Sequence, residues 1–200
     1  EITNRSENSV TLPPLFVNIG TAAPTDADKM GYTLNASYHR KGKFKTIGSA
    51  KFRAGGFPFY SQPSPFVVKE GPIEWGAVKN QFFVTLVTPE QPATQIIARG
   101  VEFPGPTVNG QPPIGVTADL EFNLPTLAPG DVYVLALDYY AGPKDYDILT
   151  ELDLRQDDVM QLGWFMFFDD FAIVSFVAKG LLALLSAIQG FAGNWGITIM

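Results

Sequence analysis

Few residues in this chain are able to do chemistry, and their spacing decides most of what they can do. The single histidine, His39, stands beside the basic pair Arg40-Lys41. A nucleophilic triad or a metal centre needs partners, and the chain has no second histidine and no cysteine. His39 therefore reads as a surface residue of a hairpin. Adjacent carboxylates occur at Asp157-Asp158 and Asp169-Asp170. Neighbouring residues do not face each other on a helix, so neither pair forms an acid–base couple of the glycosidase kind. Capping and solvation account for them. Asp145 and Asp147, near Lys144, read as a charged surface turn. The glycines at 55, 56, 105 and 110 make no phosphate cradle, because GxGxxG and GxxxxGK[ST] are both absent. No cofactor and no metal is expected.

Composition narrows the class. The net charge is −6 and no Lys/Arg-rich run occurs, so the footprint of a nucleic-acid binder is missing. Only 17% of the residues are charged, while glycine (19), proline (16) and phenylalanine (16) are plentiful. That mix suits an all-β sandwich with many turns. Two hundred residues are enough for a real core. The opening "EITNRSENSV" is polar and has no leader pattern, so any export signal is expected outside this stretch.

Strands and turns should fill the chain from Glu1 to about Asp147. In Ile114–Leu124, Val116, Ala118, Leu120, Phe122 and Leu124 alternate with Thr117, Asp119, Glu121 and Asn123. This predicts a strand with one buried and one wet face. "DVYVLALDYY" (131–140) is apolar on both sides and predicts a central strand. "QFFVTLVTP" (81–89) and "TQIIARGVEF" (94–103) predict two strands joined by a short loop, and 32–52 a hairpin turning near Lys41-Gly42.

The character changes after Pro143. "KDYDILTEL" predicts a helical turn or two, and "MQLGWFMFF" (160–168) strand or extended chain. Asp169-Asp170 then precede a long apolar stretch, Phe171 to Ile188, as suits a helix N-terminus. Three readings fit that helix: packed in the core, lying at a membrane interface, or spanning a bilayer. Lys179-Gly180 in its middle count against a span, and Ser175, Lys179, Ser186 and Gln189 share a narrow polar face. From Asp153 to Met200 the acids Asp153, Asp157, Asp158, Asp169 and Asp170 outnumber the bases Arg155 and Lys179. Segments at the cytoplasmic face of a membrane carry the opposite excess. Contact with a membrane would thus come from the outer side and rest on apolar surface.

Four stretches in order resemble one family. "VTLPPLFVNIGTAAP" (10–24), "WGAVKNQFFVTLVTP" (75–89), "YYAGPKDYDIL" (139–149) and "LGWFMFF…IQGFAGNWGITIM" (162–200) are similar to the periplasmic domain of YidC-type membrane protein insertases. Asp169-Asp170 and Lys179-Gly180 depart from some relatives, which carry proline and more basic residues there.

The resemblance implies a mainly β fold: an antiparallel β-sandwich (supersandwich) similar to sugar mutarotases, with C-terminal helices. It divides the chain into a periplasmic sandwich (1–152, expected to lack its first strands), a strand and amphipathic helix linking to the membrane (153–195), and the start of a transmembrane segment (196–200). It implies a non-catalytic platform at the periplasmic face of the bacterial inner membrane that supports membrane protein insertion, alone or with the Sec translocon. Its expected partners are the membrane surface, Sec accessory subunits and nascent membrane proteins. Phe165, Phe167, Phe168, Phe171 and Trp195 are the expected interface anchors. Trp75, Lys79, Asn80, Gln81, Phe82, Gly142, Pro143 and Lys144 are the motif residues, expected to serve packing and turns. A carbohydrate-binding or mutarotase-like sandwich is the alternative. Such chemistry needs a positioned acid and base, usually histidines with a carboxylate, and one histidine argues against it.

Overall fold

The computed structural model describes residues 1–54, 62–107, 110–152, 154–161 and, further on, 177, 180, 181, 183–185, 187 and 188. Among the described residues the chain forms strands β1 (Ile2–Thr3), β2 (Leu15–Ala22), β3 (Asn35–Arg40), β4 (Lys43–Gly48), β5 (Phe66–Ile73), β6 (Trp75–Lys79), β7 (Phe83–Pro89), β8 (Ala93–Glu102), β9 (Ile114–Phe122), β10 (Val132–Tyr133) and β11 (Leu137–Pro143). A short helix α1 (Tyr146–Thr150) and 3₁₀ turns at Ser49–Phe52 and Gln156–Met160 accompany the strands, and the described residues from 177 to 188 are helical. All pairings between these strands are antiparallel. Two sheets, ordered β2-β9-β8-β5 and β11-β7-β6-β3-β4, enclose the main core, and β1 pairs with β10 outside them. In that core Ile19, Ile96 and Leu120 from the first sheet join Tyr38, Val78 and Val87 from the second. This is the expected antiparallel β-sandwich.

Local chemistry explains the turns. Lys41 (φ 51°) and Gly42 (φ 72°) are both left-handed between the paired residues Arg40 and Lys43. Two such residues in a two-residue loop match the twist of the flanking strands. Asn80 closes the β6–β7 hairpin: its Oδ1 accepts from the backbone N–H of Phe82 and of Phe83, each at 2.9 Å. β7 and β8 are strands joined by residues 90–92, but each lies in a different sheet. β5 and β6 also change sheets, through Glu74 alone.

Two expectations need correction. The strand expected over Ile114–Leu124 is present as β9, yet its polar face is not wet: Thr117 is 9% and Asp119 6% exposed. β9 lies between β2 and β8, and their polar side chains roof it over. Asn18 Nδ2 donates to Asp119 Oδ1 (2.8 Å), Thr117 Oγ1 donates to the Gly20 carbonyl (3.0 Å), and Arg99 pairs with Asp119. A polar face becomes dry when neighbours satisfy its hydrogen bonds. The second correction concerns 131–140. It is no central strand. It splits into β10 and the start of β11, and β11 is an edge strand with Leu137, Asp138 and Tyr139 exposed.

Gly115 shows how closely β9 is approached. A Cβ there would lie 2.6 Å from the backbone oxygen of Ala22 and would also collide with the Phe103 ring. Main chain cannot step aside as a flexible side chain can, so Gly115→Ala will destabilise the domain by about 2 kcal/mol or more in urea unfolding.

Candidate functional site

The outer face of the five-stranded sheet carries a second, smaller core. Alternation sends Ala36, Tyr38 and Val78 into the main core, and the intervening residues outward. On that outer side the register sets His39 opposite Trp75, Ser37 opposite Ala77 and Asn35 opposite Lys79. All six are buried. Over Trp75, Ala77, Lys79 and Asn35 the chain after β11 folds back as a cover. Asp145 caps α1, its carboxylate accepting from the N–H of Asp147 (3.0 Å) and of Ile148 (3.3 Å). α1 and the Gln156–Met160 turn then press Leu149 and Val159, both fully buried, against Trp75, Ala77, Val84 and Leu86.

Polar groups tie the cover down. Trp75 Nε1 donates to the Leu154 carbonyl at 2.8 Å, and Gln156 Nε2 to Thr88 Oγ1 at 3.4 Å. Lys79 Nζ donates to Gln161 Oε1, which also accepts from Asn35 Nδ2 at 3.4 Å. Ser37 Oγ donates to Asn35 Oδ1 at 2.7 Å. Lys79 is 1% exposed, and among the described residues no carboxylate forms an ion pair with it. Burial, and then the like charge of Lys144, push its amine down to about 7. Burial also lowers Lys144.

His39 is the residue most misjudged from sequence. It is 4% exposed, not a surface hairpin residue. Its ring stacks on Trp75 with centroids 5.7 Å apart and planes 6° from parallel, and Nδ1 pairs with Glu74. A histidine–carboxylate pair supplies two of the three members of a hydrolytic triad. Here the other ring nitrogen, Nε2, is buried without a hydrogen-bond partner among the described residues, so no described hydroxyl stands where a nucleophile must. Among the described residues no cluster of three His, Cys, Asp or Glu could hold a metal ion. The arrangement can clamp a segment of chain onto a sheet.

The motif residues, 60 positions apart in sequence, come together. Gly142 pairs with Val84 and Pro143 with Phe83, so the "YAGPK" segment lies along the end of the "KNQFF" hairpin. The Lys144 N–H donates to the Phe82 carbonyl at 2.8 Å. The Phe82 side chain itself is half exposed, and Gln81 Oε1 is buried with no hydrogen-bond partner among the described residues. Tyr140 Oη donates to the Pro143 carbonyl at 2.7 Å, and a Cβ at Gly142 would lie 2.8 Å from that hydroxyl. Asn35, Ser37, His39, Glu74 and Gln161 complete the cluster and were not singled out from sequence as parts of it. The signal was present: a polar residue at every second place of β3, opposite Trp75-Ala77-Lys79.

The expected anchors Phe165, Phe167, Phe168, Phe171 and Trp195 lie outside the described residues, as do 162–170 and 196–200. Within the apolar stretch the described residues from 177 to 188 are helical. Val177, Leu181, Leu184 and Ile188 are 60%, 55%, 57% and 40% exposed. Their spacing of four, three and four puts them on one side of the helix. Among the described residues no helix is long and apolar enough to cross a membrane.

Residues 1–173 match the family model described as the YidC periplasmic domain. The membrane protein insertase YidC of Nitratidesulfovibrio vulgaris (strain DP4) is 25% identical over 193 residues, covering 89% of this chain and 30% of that protein. Its counterpart in Cellvibrio japonicus is 38% identical over 72 residues, 36% of this chain and 11% of the relative. The chain thus spans at most 30% of the length of these relatives. A family match over the whole sandwich and its cover, joined to a fold of the expected kind, leaves one assignment: the chain belongs to the YidC periplasmic domain family.

Proposed function

We infer that this chain is the periplasmic part of a bacterial inner-membrane insertase, acting as a non-catalytic platform for membrane protein insertion and folding. In this reading residues 1–152 form the platform and 153–195 connect it to the membrane. Residues 196–200 begin a transmembrane segment. Phe165, Phe167, Phe168, Phe171 and Trp195 sit at the membrane interface. Nascent membrane proteins and Sec accessory subunits are the partners. The family match supports the reading. So does the exposed stripe Val177, Leu181, Leu184 and Ile188, the observation that carries it. Large apolar side chains aligned on one helix face and left exposed suit a lipid interface. The local excess of acids, with five against two bases from Asp153 onward, makes the attachment apolar rather than electrostatic. The carbohydrate alternative is not favoured, since the one histidine is stacked and buried in a clamp.

Flotation with vesicles tests the reading. The whole chain should float with neutral phosphatidylcholine vesicles and stay bound at high salt. Exchanging Leu181 and Leu184 together for glutamine removes two apolar anchors, each worth about 1.5 kcal/mol or more when buried. Binding should fall by at least about tenfold. Unaltered flotation of the double variant, or no flotation of the parent chain, would refute the membrane attachment.

A further inference from the structure

Gln161 is the last described residue of the cover over Trp75. The turn that ends there is unusual in its backbone. Arg155 before it (φ 59°, ψ 39°) and Gln161 after it (φ 52°, ψ 41°) are both left-handed without being glycine. Side chains disfavour that conformation, so both positions hold only while surrounding contacts impose it. At Gln161 those contacts are the backbone N–H bond to the Asp158 carbonyl (3.0 Å), which closes the turn, and the bonds of its Oε1 with Lys79 and Asn35.

We propose that the turn Gln156–Met160 is a releasable latch, closed by Lys79 when its amine is neutral and opened when that amine takes up a proton. A neutral amine still donates to Gln161 and has little solvation to lose. An ammonium in the same place is stripped of water with no paired carboxylate among the described residues. Lifting the turn returns water to it. Of the charged groups on the packed elements, which include Asp157 and Asp158 on the turn and Asp145 and Asp147 at α1, Lys144 reinforces this direction. Lys144, at the end of β11, acts on Lys79 as a like charge. Glu74 is engaged by His39, and Asp158 on the turn itself pairs with Arg155 at 3.0 Å. Opening uncovers Val159 and the Trp75 edge and frees the backbone from which the rest of the chain leads off. This stands independently of the membrane reading.

Hydrogen exchange resolved along the whole chain, between pH 6 and pH 9 and corrected for intrinsic rates, tests it. Protection at 156–161 should be weaker than in the central strand β9, because the latch opens without the sandwich unfolding. From about pH 7 upward that protection should rise by up to about tenfold per pH unit, since only the open form then binds the proton. In Lys79→Met the rise should vanish while the sandwich stays folded, and Lys79→Gln should behave alike. Protection at 156–161 equal to that of β9 would mean that the turn opens only with the whole domain, and overturns the latch. So does weak protection that ignores pH in the parent protein, or a rise that survives in Lys79→Met.

Discussion

Trp75→Ala is expected to lower the unfolding free energy of the domain by about 3–5 kcal/mol, the range for emptying a fully buried aromatic site. Trp75 is 0% exposed. It faces His39 in a parallel stack and Phe44 at 6.0 Å, under Leu149 and Val159. No neighbour can fill the space without moving strand backbone, because Ala77 and the β3 residues are fixed by the sheet ladder. The cover would therefore settle badly or lift. Trp75→Phe separates the two parts of the effect. It keeps most of the ring packing and loses only the N–H bond to the Leu154 carbonyl. Leu154 is 40% exposed, so water can replace that donor, and the loss should be about 1 kcal/mol. Urea unfolding followed by far-ultraviolet circular dichroism measures both. A cost near 1 kcal/mol for alanine as well would show that the second core contributes little to the fold.

The same residues show what could be seen in the sequence and what could not. Lys41-Gly42 announced a hairpin because a two-residue turn has its own chemistry, and β3 and β4 pair as that chemistry demands. The alternation in 114–124 announces a strand for the same local reason, and β9 occupies Ile114–Phe122. What alternation cannot tell is whether a polar face stays wet. Asp119 and Thr117 are dry because Asn18, Gly20 and Arg99 reach them from β2 and β8, partners distant in sequence. His39 was misjudged on the same ground. Phe44, opposite it on β4, is close in sequence, but the groups that stack on it and pair with it are not. Glu74 arrives from the β5–β6 crossing, and the cover arrives from residues 145–160. The reverse holds for 131–140, where apolar residues on both faces suggest a central strand and the structure places β10 outside the two sheets and β11 at an edge. Apolar character says that surface can be buried, not that a strand is available to bury it. The motifs that carried the family resemblance were legible as words. That "KNQFF" and "YAGPK" lie side by side needed the register of β7 and β11.

Lys79→Met carries the other large effect, and its sign runs against the usual result for a buried residue. In the folded chain burial and Lys144 hold the Lys79 amine down to about 7, against the ordinary 10.5. Between these two values the unfolded chain binds a proton that the folded one lacks. Stability from this residue is therefore fully present above about pH 10.5 and is lost as pH falls towards 7. The slope can reach about 1.4 kcal/mol per pH unit. Methionine has a comparable length and no charge to desolvate. It leaves Gln161 Oε1 with Asn35 as its donor. At pH 7 the variant should thus be more stable than the parent by about 2–4 kcal/mol, within the range seen when buried charges give way to apolar side chains. Near pH 10.5 the advantage should disappear, or reverse by about 1 kcal/mol for the lost hydrogen bond. Urea titrations at a series of pH values give the difference directly, with Lys69→Met on the exposed strand surface as a control that should follow the parent at every pH. A Lys79 variant that is weaker than the parent at pH 7 would mean that the buried ammonium is stabilised by a partner, and that the cover is held by charge rather than in spite of it.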